Sequence, residues 1–133
     1  MLDMLEAPVL SRSKSRMDLD LLQGAWTTVA GLRSVKLLIA GTRYTFEIEN
    51  GPIYMGTFFL DDEEAPKQID MLIEEGPAKE KGRIALCIYH LEGDVMRFCP
   101  TAAGSDRRLL SFPSVDDNRY LSLVFKHVRA SRD

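Results

Sequence analysis

Residues 87–99 read CIYHLEGDVMRFC and contain both cysteines of the chain and one of its two histidines. Thiols and an imidazole this close together could bind a metal, form a disulfide or carry out redox chemistry. A metal site needs three or four converging ligands, and the chain has no C-x-x-C or H-x-x-x-H spacing. The apolar residues around Glu92-Gly93 instead favour a β-hairpin, and no metal is predicted.

The loop of this hairpin decides where the two thiols lie. A two-residue loop at Glu92-Gly93 sets Cys87 opposite Phe98 and puts Cys99 on the other face of the sheet. A three-residue loop would set Cys87 opposite Cys99, close enough for a strained disulfide. We favour the first register, with Cys87 in the core and both thiols free, because it gives the hairpin one apolar face. That face comprises Tyr89, Leu91, Met96 and Phe98.

Other polar residues have simpler interpretations than a site. The acidic run at residues 61–64 lacks the spacing and the glycine of a calcium loop, and it is predicted to be a solvated turn. No nucleophile with a recognisable base and no phosphate-binding glycine loop is present. No catalytic residue and no cofactor is therefore predicted, and an enzyme is not expected.

Length and charge limit the kinds of protein this can be. A chain of 133 residues is long enough for one domain with a real core. A net charge of −3 gives none of the basic surface that nucleic-acid binding requires. No apolar run reaches the roughly 18 to 20 residues that cross a bilayer, so no membrane span is expected. As written, the chain is expected to be cytoplasmic, and exported if a leader was removed.

Eight short segments show a period of two and end at turn residues. Their spacing of roughly 8 to 12 residues, without a long helical pattern between them, predicts an all-β antiparallel sandwich or barrel. The predicted strands are residues 25–30, 35–39, 43–49, 54–60, 68–74, 83–91, 95–99 and 120–128.

The remaining segments define the predicted domain boundaries. Residues 1–17 are predicted to be a flexible N-terminal segment, 18–129 the barrel domain and 130–133 a tail. A short helical turn, with Asp18 as a plausible N-cap, precedes Gly24. Residues 101–117 are the least regular part, with either a short strand at 109–112 or only a loop.

An ordered set of short motifs resembles a known family. Residues 22–26 (LQGAW), 56–58 (GTF), 66–70 (PKQID), 76–77 (GP) and 88–89 (IY) carry the resemblance, with Leu60-Asp61, Leu91 and Gly93-Asp94. Together they resemble the small lipocalin-like domain found in many copies in planctomycete bacteria, over residues 22 to 128. The resemblance implies a single up-and-down β-barrel of the calycin type with about eight strands, and it implies no enzymatic activity.

The same resemblance implies how one end of the barrel is closed. Gly24-x-Trp26 would begin the first strand, with the indole lying across the barrel end. Lys126 or Arg129 in the last strand would then stack on Trp26 by a cation–π interaction. These four residues are expected to be structural, and His127 is expected to face solvent or a loop.

The strand at residues 83–91 is apolar on both faces, whereas a monomeric barrel normally leaves one face wet. The N-terminal segment could cover the outer face with Met4, Leu5, Val9 and Leu10. A second copy of the chain or another protein could also cover it. Otherwise the lumen is less apolar than the pattern indicates.

Two hypotheses for function remain open. The first is a binding module that holds a small apolar or amphipathic ligand. The second is a structural or protein-interaction domain whose barrel is filled by side chains, which is the common use of large alternating aromatics. A lumen of about 300 Å³ or more would favour the first. The residues predicted to line it are Tyr44, Phe46, Tyr54, Phe58, Tyr89 and Met96.

Overall fold

Every segment with a period of two forms a strand in the computed structural model, which describes residues 17–128. One short helix, α1, occupies residues 17–22. The strands are β1 (Gly24–Ala30), β2 (Val35–Ala40), β3 (Arg43–Ile48), β4 (Ile53–Asp61), β5 (Lys67–Glu75), β6 (Ile84–Glu92), β7 (Val95–Pro100) and β8 (Leu123–Val128).

The eight strands form one closed antiparallel barrel in which each strand pairs with the next. Pairing of β8 with β1 closes the barrel. The prediction of an all-β up-and-down barrel is therefore confirmed. The last strand begins at Leu123 rather than at residue 120, and residues 109–112 form no strand. Residues 101–122 are thus one long connection between β7 and β8.

Alternating burial shows why these segments adopt strands. In β2, Val35, Leu37 and Ile39 are buried while the residues between them are exposed. Successive side chains of a strand point to opposite faces, so this pattern puts one apolar face into the barrel and leaves the other wet.

The barrel has two different ends. The helix end carries α1 and the turns between β2 and β3, β4 and β5, and β6 and β7. The loop end carries the other four connections, including residues 101–122. The candidate site lies at the loop end, and the helix end is closed by side chains.

A buried carboxylate ties α1 to the barrel at the helix end. Asp18 Oδ2 accepts a hydrogen bond from the Tyr89 hydroxyl at 2.7 Å and lies 3.0 Å from Lys67 Nζ. Asp18 is buried and lies inside α1, so the predicted N-cap role is wrong. Its partners explain the difference, because they draw the side chain toward the barrel rather than toward the backbone of the first turn.

Trp26 closes the helix end with a partner other than the predicted cation. The indole is buried, and its Nε1 donates to the Leu22 carbonyl oxygen at 2.8 Å. The ring of His127 packs edge-on against it, with centroids 4.8 Å apart. His127 lies directly opposite Trp26, and its Nε2 is 2.9 Å from the carbonyl oxygen of Gln23 between α1 and β1. The half-buried ring thus contacts a loop residue, as expected, but its main packing partner is the indole.

The predicted cation–π partners do not close the barrel. Lys126 is paired with Thr27 and is exposed on the outer face, so the prediction that it stacks on Trp26 is wrong. Arg129 lies outside the described residues. Gly24 has φ of 110°, and a Cβ there would lie 2.8 Å from His127 Nε2. Glycine at this position therefore makes room for the imidazole.

The β6–β7 hairpin has the predicted faces but a different turn. Its loop is Gly93-Asp94, and Cys87 is opposite Pro100 rather than Phe98. The predicted turn is off by one residue, which shifts each pair by two positions and preserves the faces because the strand period is two. Both cysteines are free and buried, and Cys99 lies on the outer face opposite Ile88.

The long connection packs against the apolar outer side of β6 and β7. Its first residues continue the pairing, with Gly104 N donating to Ile84 O at 3.0 Å. Further on, the Arg97 guanidinium lies 4.5 Å from the centre of the Phe112 ring and donates to Pro113 O. Ile88 and Cys99 are completely buried on this side. The predicted cover by Met4, Leu5, Val9 and Leu10 falls outside the described residues.

Candidate functional site

A cavity of about 870 Å³ occupies the loop end of the barrel. Its lining is mostly apolar, and it is partly open to solvent. Inward-facing strand side chains form one part of the lining, namely Tyr44, Phe46, Ile48, Tyr54, Met71, Ile73, Ala85, Cys87 and Phe98. Pro100 at the end of β7, Glu80 of the β5–β6 connection and residues of the β7–β8 connection form the rest.

Two phenylalanine rings of the cavity lining pack against a third, buried ring. Phe46 and Phe98 line it, and their centroids are 5.8 Å apart. Phe125 lies 6.0 Å from Phe98 and 6.5 Å from Phe46, completely buried and outside the lining. Aromatic pairs prefer such tilted and edge-to-face contacts. Beyond this layer the barrel is filled.

The structure divides the predicted lining residues into two sets. Tyr44, Phe46 and Tyr54 line the cavity. Phe58, Tyr89 and Met96 do not, because they are buried nearer the helix end and fill the lumen there. The alternation of a strand gives the face of a residue but not its height along the barrel, so the sequence could not separate the two sets.

Tyr44 is fixed in the cavity wall by a bond that crosses a neighbouring strand. Its hydroxyl donates to the Leu72 carbonyl oxygen on β5 at 2.9 Å. The residue between them on β4 is Gly56, where a Cβ would lie only 1.8 Å from that oxygen. The β4–β5 register shifts at this point, between Met55 and Gly56. Burial raises the pKa of Tyr44, which keeps its hydroxyl a donor.

Tyr54 and Glu80 join the barrel wall to the β5–β6 connection. The Tyr54 hydroxyl donates to Glu80 Oε1 at 2.8 Å. Burial and this hydrogen bond raise the pKa of Tyr54 to about 12. The pair gives the apolar cavity one polar edge.

Three arginines of the β7–β8 connection complete the lining: Arg107, Arg108 and Arg119. Arg108 Nη2 lies 2.7 Å from Asp70 Oδ1, and its Nη1 donates to Cys87 O at 2.9 Å. Arg119 makes a two-point contact with Asp117 through Nε and Nη2, at 3.0 and 2.9 Å. The Arg108 bonds tie the connection to β5 and β6, whereas the Arg119 pair lies within the connection.

The arginines were missed from sequence because the connection has no period that would place it in the barrel. The one indication was Arg107-Arg108 next to Leu109-Leu110, a basic pair beside an apolar pair in a segment without strands. Such a pair is also common on an ordinary surface loop, so it could not identify a site without the fold.

The remaining candidate groups are placed as follows. Cys87 lines the cavity, and burial raises the pKa of its thiol well above the usual value, which makes it a poor nucleophile. Within residues 17–128, no three His, Cys, Asp or Glu side chains gather as a metal site. No helix in this range has the length and apolar character needed to cross a membrane.

Comparisons with protein-family models, with curated proteins and with solved structures found no match to the chain.

Proposed function

We propose that this protein is a binding module that holds a small apolar or amphipathic molecule in the loop-end cavity. The observation that supports this is the cavity itself, about 870 Å³ with a mostly apolar lining. Small-molecule sites are typically clefts of about 300–1,000 Å³ lined by apolar and aromatic side chains with a few polar groups. We also propose membership of the lipocalin-like family, on the ordered motifs alone.

The construction of the walls supports the same proposal. The Tyr44 and Tyr54 hydroxyls are each bonded to the protein, which fixes both rings against the wall. Phe46 and Phe98 are held by contacts with Phe125. A site whose aromatic side chains are already ordered loses little conformational entropy when a ligand binds.

A binding role is proposed rather than a catalytic one. The thiol in the cavity is kept protonated by burial, and the one lining carboxylate, Glu80, accepts a bond from Tyr54. Neither group has the activated nucleophile and base arrangement that covalent catalysis uses.

A protein-interaction role is the second candidate, and one surface favours it. Leu38, Thr45 and Met55 lie side by side on the outer face of β2, β3 and β4. Leu38 is 52% and Met55 41% exposed. A partner protein or a second copy of the chain that covered this face would bury both side chains.

Binding of a fluorescent probe, with and without a substitution that fills the cavity, tests the binding role. We would titrate the protein with N-phenylnaphthylamine, an uncharged fluorescent apolar probe, and expect saturable binding. Ala85→Phe, on a small residue of the cavity wall, is expected to weaken it by roughly ten-fold or more. Ala40→Phe makes the same change at an exposed position outside the lining and should leave binding unchanged.

Absence of saturable binding to the unmodified protein would overturn the proposal. So would probe binding that persists in a folded Ala85→Phe variant. If Ala85→Phe does not fold, Ala85→Leu adds less volume and supplies the same comparison. Native mass spectrometry of protein purified from its own host gives an independent measurement, because a retained ligand adds a defined mass.

A further inference from the structure

We infer that the ligand of the cavity has an anionic head group and an apolar tail, and that Arg107 binds the head group. This inference rests on the proposed binding function and adds the chemical class of the ligand. It derives from the charges around the cavity, in particular from which of them already have partners.

Two of the three lining arginines are already neutralised. Arg108 is paired with Asp70, and Arg119 is paired with Asp117 through two hydrogen bonds. Neither acid is itself among the lining residues. Asp70 lies between the inward-facing Ile69 and Met71 of β5, so its ion pair draws the Arg108 guanidinium toward the outer face of the barrel.

Arg107 differs from these two arginines. Within the described part of the chain its guanidinium makes no ion pair and no hydrogen bond, although the residue lines the cavity. Its backbone N–H donates to Ser105 Oγ at 3.2 Å. Arg107 is thus an exposed cation among the residues that line an apolar cavity, and it is unpaired within the described part of the chain.

The one carboxylate of the lining is already engaged. Glu80 accepts the hydrogen bond from the Tyr54 hydroxyl, so part of its accepting capacity is used. The lining therefore contains one arginine without a partner among the described residues and one bonded carboxylate. Guanidinium binds carboxylate, sulfate or phosphate groups through two parallel hydrogen bonds. A single-tailed amphiphile with an anionic head satisfies both the apolar walls and Arg107.

Charge at the opposite end of the barrel agrees with this assignment. The end of β4 and the β4–β5 turn carry Asp61, Asp62, Glu63 and Glu64, and the β6–β7 turn carries Asp94. Among the described residues, the connections of the helix end are therefore acidic, and their field repels anions from that side. An anionic amphiphile is thus directed to the loop end, where the cavity lies.

Ligands that share one tail and differ in the head group test the inference. We would measure displacement of N-phenylnaphthylamine by dodecanoate, dodecanol and dodecylammonium, each below its micelle concentration. Dodecanoate is expected to bind roughly ten-fold more tightly than dodecanol, as one charge-assisted hydrogen-bond pair provides, and dodecylammonium more weakly than both. Added salt should reduce the advantage of dodecanoate.

Substitution of the arginine supplies the second comparison. Arg107→Gln should remove the roughly ten-fold preference for dodecanoate while leaving dodecanol binding unchanged. Arg33→Gln is the matched control, because Arg33 lies in a loop-end connection but not in the lining. Equal binding of dodecanoate and dodecanol, or a preference that survives Arg107→Gln, would overturn the inference alone. Failure of all three ligands and of the uncharged probe would overturn the proposed function itself.

Discussion

The Tyr44 hydroxyl donates to the Leu72 carbonyl oxygen at 2.9 Å, across a strand that has only a glycine between them. The bond satisfies a carbonyl at the point where the β4–β5 register shifts. It also holds the Tyr44 ring against the cavity wall. The same hydrogen bond therefore stabilises the irregular part of the sheet and fixes one side chain of the site.

Tyr44→Phe is expected to lower the free energy of unfolding by about 1 kcal/mol, because it removes this one bond and keeps the ring. Urea denaturation at neutral pH measures the change. Tyr120→Phe is the matched control, since the Tyr120 hydroxyl makes no hydrogen bond within the described residues. Gly56→Ala should cost more than Tyr44→Phe, because the new Cβ would meet Leu72 O at 1.8 Å. Equal stability of Tyr44→Phe and the unmodified protein would contradict the interpretation.

Removing the buried carboxylate of α1 should destabilise the helix end. Asp18→Ala leaves the Tyr89 hydroxyl and Lys67 without their partner, and we expect a loss of about 2 kcal/mol, typical of a buried bond to a charged group. Asp20→Ala changes an exposed acid of the same helix and should cost far less. A double-mutant cycle with Tyr89→Phe measures the coupling, and additive losses would show that the two side chains do not interact.

Because His127 packs next to Gly24 at the closed end of the barrel, Gly24→Ala should destabilise the protein more than Gly41→Ala does. Gly24→Ala should destabilise by about 2 kcal/mol or more, because φ is 110° and the Cβ would meet His127 Nε2 at 2.8 Å. Gly41→Ala also has a positive φ but open space around it, so it should cost only about 1 kcal/mol. Fluorescence of Trp26, the only tryptophan, monitors the transition.

A His127→Ala background separates the clash from the backbone strain. Gly24→Ala should cost less in that background than in the unmodified protein, because the opposing ring is absent. An unchanged cost would mean that strain at Gly24 alone explains the loss.

Stability is expected to fall in alkali. Burial raises the pKa of Cys99 from 9.0 to about 11 and that of Tyr54 from 10.0 to about 12. The folded protein therefore keeps protons that the unfolded chain releases, so this contribution is complete below about pH 9 and is lost as pH rises through 11 and 12. Urea denaturation over this range should show the decline, with a shallower slope for Tyr54→Phe. A constant free energy of unfolding up to about pH 11 would contradict it.

The strands could be predicted from the sequence because each one has its own alternation of apolar and polar residues. In β3, Tyr44, Phe46 and Ile48 alternate with polar residues, and that pattern requires one buried face. The predicted sheet faces of Cys87 and Cys99 were also correct, since a shift of two residues in the strand pairing leaves every side chain on the same face. The exact turn was wrong because Glu92-Gly93 and Gly93-Asp94 both satisfy the preference for glycine in a two-residue loop.

The site was less predictable because it depends on contacts between distant segments. No local pattern indicates that Phe46 lines a cavity while Phe58 fills the core. The partner of Trp26 was missed because His127 and Lys126 are neighbours in sequence, and only the β1–β8 register decides which of them faces the indole. The arginines of residues 101–122 belong to a segment without a period, which backbone and side-chain bonds hold against β6.

The pairing of β8 with β1 has a consequence for how other proteins can bind. Each of the eight strands has a neighbour on both sides, so the described barrel presents no free strand edge as a template for a further strand. A partner cannot extend this sheet as it would an open one, and two copies cannot join edge to edge. Any protein contact made by the folded barrel must use side chains of its outer face or of its connections.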